Sequence, residues 1–537
     1  MGLVFTIVYI VLTIFSPEQF GPDWANYHAL VYLAVVTALF SLPNVFSGSA
    51  LKSSIQTYLL LAFIGAVGLS QIANHWMGGA LKGWLTFLPS AAVYFFVVAN
   101  VTTARRLRIV ALASVAACLG LVAETLCGYY AGFLGDTFVL KMRFDSGQAV
   151  EQILRLRGVG FLNDPNDLAQ ILIIALALLF FAWRQGRVIS NSVFVLAPAA
   201  ALLWAIYLTH SRGGLIGLAV FTLMAGYKRF GKVPSLVLAA MLGVAMMALD
   251  FTGGRDISAS EGADRLSLWA SGLELFKSAP IFGVGFGNFA DLAGQTAHNS
   301  FILPLAELGI IGATIWVALF VTTTTDLNRL IALQEEPATL GDGSSERSDV
   351  ESEDDGAPTV SDSSFDINRA APFEDQAVAY RGDLAPAEHD LVEVARTEDQ
   401  SSSANAEYEG IDPSANVFPF PAESFSTTEV AAATNLELEV DTEPAAKLIA
   451  ESIDEAIAPD NSLVIIRLAL VSFMATGWFL SRTFDMPIYL VLGLAAAAIG
   501  LDPSATEPRD HRRWIFVTLA VEVLLIIFVY LVVRLRH

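Results

Sequence analysis

The sequence predicts an all-α, polytopic integral-membrane helical bundle, and three observations carry that expectation. Of the 537 residues, 54% are hydrophobic and only 16% charged, with a mean hydropathy of +0.56, far above a soluble globular chain. Apolar runs approaching membrane-crossing length recur along the chain between short polar loops. The acidity, finally, sits in one place: Asp326–Asp460 holds 33 acidic and 6 basic residues, a net of −27, whereas the whole chain is −22 and the remainder therefore +5. A mildly basic membrane body is thus interrupted by one acidic insert.

Taken in order, apolar segments fall near residues 3–15, 28–42, 55–73, 84–100, 109–133, 167–183, 192–209, 213–227, 233–251, 299–322, 462–481, 486–501 and 514–533, which makes 12 or 13 spans. The first and twelfth fall short of the roughly 20 residues a helix needs to cross about 30 Å of hydrocarbon. The opening MGLVFTIVYIVLTIF lacks a basic n-region and a small-residue cleavage site, so it reads as a retained anchor. Cys118 and Cys127 both lie in an apolar stretch and make neither a disulfide framework nor a thiolate metal site. Basic clusters at Arg105, Arg106 and Arg108, at Arg184 and Arg187, and at Lys228, Arg229 and Lys232 mark cytoplasmic loops. The loops at 132–167, 210–214 and 252–298 then face outward. The organisation expected is a membrane bundle over 1–322 with an outward loop at 252–298, an insert over 323–461, and C-terminal spans over 462–537.

The insert is rich in Ser, Glu, Asp, Ala and Pro, as in GDGSSERSDVESEDDGAP, and reads as disordered and cytoplasmic. It serves either as a tolerated linker or as a docking segment for a basic cytosolic partner around Val417–Phe420.

Three arginines stand at outward span boundaries: Arg157 in LRGVGFLNDPNDLAQ, Arg212 in THSRGGLIG, and Arg265 in the large loop. An arginine at the centre of a membrane helix costs on the order of 3 kcal/mol, so one near the bilayer needs a partner or a role. Each could snorkel to lipid phosphates or pair with Asp164, Asp167 or Asp264. Three in neighbouring loops, beside glycines, suit a polyanion better, because guanidinium groups bind phosphate oxygens in pairs. His28 and His75 read as boundary residues, and His210 is a second-rank candidate two positions before Arg212.

The most informative stretch is Ala263–Trp316. Leu266, Leu268, Trp269, Leu273, Leu275 and Phe276 are spaced as on an amphipathic helix carrying Arg265. Pro280 ends it, and Gly283, Gly285 and Gly287 make a turn. His298 and Asn299 then come directly before a long apolar run, at a helix N-terminus. Positive surroundings there disfavour imidazolium and keep His298 a neutral proton acceptor. GVGFGN lacks the dinucleotide-binding spacing and no phosphate-loop lysine follows it. No metal-ligand motif occurs. Neither cofactor, metal nor nucleic acid is therefore expected.

His298, Asn299, nine residues, Gly309, two residues and Gly312 form H-[NSQ]-x9-G-x-x-G, preceded by R-x-x-x-W at Arg265–Trp269 and P-x-F-G-x-G at Pro280–Gly285. In these motifs residues 157–320 resemble the O-antigen ligase and surface-polysaccharide polymerase family. Ala313, Thr314, Ile315 and Trp316 follow the last glycine, where some ligases have Thr-Trp, and this tips the expectation toward a polymerase. The resemblance implies a GT-C-like membrane glycosyltransferase of the bacterial inner membrane, with its catalytic loop outside. Its donor would be an undecaprenyl-diphosphate-linked glycan and its acceptor a glycan or lipid-core hydroxyl, amid membrane lipids. It implies His298 as general base, Arg212 and Arg265 on the diphosphate, and Arg157, His210, Asn299, Gly283 and Gly285 around the substrate. Glu124 and Glu522, acids inside apolar runs, leave open a transporter of a small anion such as bicarbonate. The acidic insert leaves open a non-catalytic scaffold.

Overall fold

The computed structural model describes residues 1–16, 29–47, 54–145, 150–248, 259–335, 461–506 and 511–535. The chain divides into two units, 1–344 with 443–537, and 345–442. The helices described below all belong to the first; the expected disorder of the insert falls on residues outside those described.

The unit is a helical bundle: α1 Gly2–Phe15, α2 Ala29–Ser47, α3 Ile55–Ala73, α4 Met77–Asn100, α5 Ala104–Ala131, α6 Pro165–Leu178, α7 Ala197–Leu208, α8 Arg212–Phe230, α9 Lys232–Ala248, α10 Ala259–Ser278, α11 Ile302–Glu335, α12 Ser462–Gly477, α13 Met486–Leu501 and α14 His511–Arg534. Among the described residues, eight helical stretches are long and apolar enough to cross a membrane, and five shorter apolar helices accompany them. The protein is a polytopic helical membrane protein. Helix α11 runs to Glu335, past residue 322 where the sequence suggests that the insert begins.

Local chemistry sets the helix starts. Asp164 caps α6 by accepting from the Asn166 N–H, with Pro165 in the first turn, where its missing N–H costs nothing. Ser211 caps α8 through Gly214 N–H at 3.0 Å, and Thr103 caps α5 through Arg106 N–H. The main core is aromatic where α3, α11 and α12 meet: Phe63 stacks on Trp316 (5.4 Å between centroids), Trp316 meets Phe320 edge-on (4.8 Å), and Phe320 stacks on Phe473. Of Glu124 and Glu522, the two acids that the sequence singles out inside apolar runs, Glu522 accepts from Thr314 Oγ1 at 2.6 Å and so joins α14 to α11.

One departure from the all-α expectation lies between α5 and α6. Val139–Asp145 (β1) and Val150–Leu156 (β2) form an antiparallel hairpin, with Val139 opposite Leu156 and Asp145 opposite Val150. Its Val, Leu, Ile and Phe residues favour extended backbone, but the run is short and interleaved with charges, so its periodicity is weak.

Helices α6, α8 and α11 begin, and α12 ends, at a shared end of the bundle. From there α6 leads to Arg184 and Arg187, and α8 to Lys228 and Arg229. The basic clusters thus stand at the far ends of the helices whose N-termini carry Arg212 and its neighbours.

Candidate functional site

His298 has φ 48°, in the left-handed region. It turns the chain into α11, and Asn299 caps that helix: its Oδ1 accepts from Phe301 N–H (2.8 Å) and Ile302 N–H (3.0 Å). The expectation that Asn299 contacts substrate meets a buried side chain, since its Nδ2 donates to Trp478 O at 3.0 Å. Ser300, also buried, has its N–H on Gly477 O (2.8 Å) and its hydroxyl on Leu480 O (2.5 Å).

Three arginines stand on elements that meet at the loop following α12. Arg265 lies on α10, with its Cζ 5.9 Å from the Phe479 ring centre, while Trp269, one turn on, packs edge-to-face on Trp478. Arg212 opens α8, and Gly213 beside it is so close to Phe479 that an added Cβ would lie 3.3 Å from the Phe479 Cβ. The third cation is Arg482, whose Nε and Nη2 both reach the buried Asp167 carboxylate, while Nη1 donates to Asp485 Oδ2 at 2.8 Å. Phe479 therefore stands between Arg265 and the start of α8, and Arg482 lies three positions further along the same loop.

His298 is part-buried, and its pKa is pushed below the ordinary 6.5 by that burial, then by the positive charges of Arg265 and Arg482, with Asp164 opposing. Arg265 and Arg482 are thus electrostatic neighbours of His298. A neutral imidazole at pH 7 follows from desolvation and like charge together.

The remaining sequence candidates fall at different distances from this centre. Arg157 closes the base of the hairpin, its Nε donating to Thr137 O (2.9 Å) and Nη2 to Asp136 O (2.8 Å). Its neighbour Arg155, which the sequence does not single out, is buried and reaches Thr209 O and Asn166 Oδ1. Asn166 Oδ1 also accepts from Ser211 Oγ at 2.7 Å, so Arg155 and Asn166 hold the starts of α6 and α8 side by side. His210 takes φ 50° in the turn before α8 and lies 5.8 Å from the Tyr207 ring.

Gly283 and Gly285 belong to a strand-like contact with a break in α11. Gly309 there has φ 65° and ψ −166°. Val284 N–H donates to Ala306 O and Gly285 N–H to Glu307 O, both at 3.0 Å, and Ile310 N–H to Pro280 O at 2.9 Å. The broken helix leaves carbonyls without intrahelical donors, and the 280–285 turn supplies them. A Cβ on Gly283 would lie 2.2 Å from the Glu307 carbonyl carbon, and one on Gly309 2.4 Å from Ile281 O. This backbone contact accounts for glycine at Gly283 and Gly309. Glu307 itself accepts from the Phe289 N–H at 3.1 Å.

Sequence reasoning misses Arg482 and its loop. The apolar run reads as a span through residue 481, which buries the loop's start in the membrane and leaves Arg482 as an unremarked boundary charge. An arginine followed within three residues by Asp485, between two short apolar segments, is the available signal.

The family model described as O-antigen ligase matches residues 197–317. No curated protein matches the chain.

Proposed function

Starting from a membrane protein of the O-antigen ligase/polymerase family, as its domain at 197–317 identifies it, we propose that the chain transfers a glycan from an undecaprenyl-diphosphate carrier to a sugar hydroxyl at the outer face of the bacterial inner membrane. The single observation that carries this reading is a part-buried histidine of lowered pKa within the field of Arg265 and Arg482.

His298 accepts the proton of the acceptor hydroxyl as that oxygen attacks the anomeric carbon. The bond from that carbon to the carrier's phosphate oxygen breaks, and the diphosphate leaves with the electron pair. Arg265 and Arg212 stabilise the charge that develops on it. Attack in one step inverts the anomeric centre. Basic residues at the far helix ends support an outward-facing site, by the positive-inside rule. Between ligation and polymerisation, the residues after Gly312 favour a polymerase.

His298→Ala and Arg212→Ala, each expressed in cells lacking the native chain, test the reading. With membrane levels matched by immunoblot, His298→Ala is expected to cut surface glycan output by about 10²–10⁴-fold, and Arg212→Ala by about 10²-fold or more. Wild-type glycan from both variants would sink it. Accumulated one-repeat carrier lipid in the deletion strain would mark a polymerase, and unattached long chains a ligase.

A further inference from the structure

The loop between α12 and α13 holds the residues that flank His298. Asn299 is fixed to it by Ser481 Oγ, which accepts from the Asn299 N–H, and by Trp478 O. Ser300 is fixed four times over: its N–H to Gly477 O, its hydroxyl to Leu480 O, the Arg482 N–H to that same hydroxyl (2.9 Å), and Thr483 Oγ1 to its carbonyl (2.8 Å). The loop in turn is tied to α6 by one side chain. The Arg482 guanidinium grips the Asp167 carboxylate with two nitrogens and Asp485 with a third. Asp167 belongs to the first turn of α6, the helix whose Asn166 is bonded to the start of α8.

Six hydrogen bonds therefore make the backbone at 299–300 follow this loop, and a two-pronged ion pair makes the loop follow α6. We propose that Arg482 is a positioning residue for His298: clamped on Asp167, it fixes the loop that holds the imidazole in place against the arginines. Its charge also disfavours imidazolium there. The inference rests on His298 being the base. It adds a residue that lies far outside the matched 197–317 region.

The geometry fits such a role. Arg482 is mostly buried, its side chain 26% exposed against 2% for Asp167, so its pair is held in a poorly screened environment where two-point geometry is worth most. Lysine would keep the charge but could not span both carboxylate oxygens in the same plane. Among the described residues, the charged groups that act on His298 are Arg265 from α10, Arg482 from the loop and Asp164 from the cap of α6. Of these, Arg482 is the one whose backbone N–H is bonded to Ser300, two residues from the imidazole.

The test uses the full-length chain in lipid nanodiscs and two independent readouts. The first is the rate at which diethyl pyrocarbonate acylates His298, followed by peptide mass spectrometry across about pH 4.5–8, a range of roughly two units either side of an ordinary histidine. It reads the imidazole's titration without any substrate. The second is glycan transfer from the lipid-diphosphate pool extracted from cells lacking the chain. Arg482→Gln is expected to move the His298 titration upward by about half to one pH unit and to lower kcat. Arg482→Lys is expected to leave the titration near wild type yet to lower kcat ~10–100-fold with little change in KM, as misplacement of a base would. An unmoved titration in Arg482→Gln, or wild-type kcat in Arg482→Lys, would overturn the proposal. If His298→Ala still transfers glycan while Arg482→Gln shifts the titration, the error lies in the assignment of the base.

Discussion

At the scale of single residues, the lowered pKa of His298 has a readable sign. If His298 is the base proposed above, its neutral form is the working one, so transfer should hold as pH drops through 6.5 and fail only below it, when the imidazole finally protonates. Replacing Arg265 with Ala removes one of the charges that depress the pKa, and the acid limb of the rate profile should move to higher pH while the maximal rate falls. A rate profile whose acid limb stayed in place in Arg265→Ala would contradict this. Folding carries the same sign: the folded state holds the proton less tightly than the unfolded one, so His298's contribution to stability is present above 6.5 and is lost as pH falls from there to its folded pKa. His298 and Arg265 could be found from the sequence because each sits in a short motif whose neighbours are close in the chain. Arg482 could not, since its meaning comes from Asp167 and Ser300, both far away in sequence and brought near only by the packing of α6, α11 and α12.

Among the elements, the break in α11 is the feature that the sequence conceals most. Residues 299–322 read as one apolar span, and nothing in their hydropathy signals that Gly309 leaves helical geometry. The glycine motif flags the position, while the reason for it, pairing with the 280–285 turn, exists only in the folded chain. Alanine at Gly309 must hold φ 65° and push against Ile281 O, so Gly309→Ala should cost roughly 1–3 kcal/mol or more and lower the melting temperature of the detergent-solubilised protein. Gly283→Ala should behave alike. Full stability in both variants would show that the contact can relax. Removing the α11 cap with Asn299→Ala should cost about 1 kcal/mol for the lost N-terminal bonds, plus the Trp478 contact, and should reduce transfer more than it reduces stability because His298 is the adjoining residue. The β hairpin shows the opposite balance: the sequence suggests a long polar loop outside, and the extended segments within it are too short and mixed in charge to announce themselves.

At the scale of the whole molecule, the site is assembled from both sides of the acidic segment. Arg212, Arg265 and His298 precede it, and the loop carrying Phe479 and Arg482 follows it. Composition marks two apolar parts on either side of an acidic segment, because hydropathy is a local property, although α11 runs on to Glu335, beyond residue 322 where the sequence sets the boundary. It could not say that the second part reaches back into the first, because that dependence is carried by hydrogen bonds such as Ser300 to Gly477 and Gln170 to Thr476. Replacing residues 345–442 with a Gly/Ser linker should leave glycan transfer within about twofold of wild type, because a Gly/Ser chain is itself a flexible coil and the cost of closing it changes slowly with length. Ending the chain after Glu335 should abolish transfer even where the shortened protein reaches the membrane, and co-expression of residues 443–537 should restore part of it. Surface glycan in the three strains checks this, and full activity from the shortened chain alone would refute it. The same arrangement bears on biogenesis. In translation Arg212, Arg265 and His298 emerge first, then the long acidic stretch, and then the peptide that carries Arg482. If Arg482 positions the base as proposed, the nascent polypeptide would stay inert toward carrier lipids until that peptide has packed against the helices made before it.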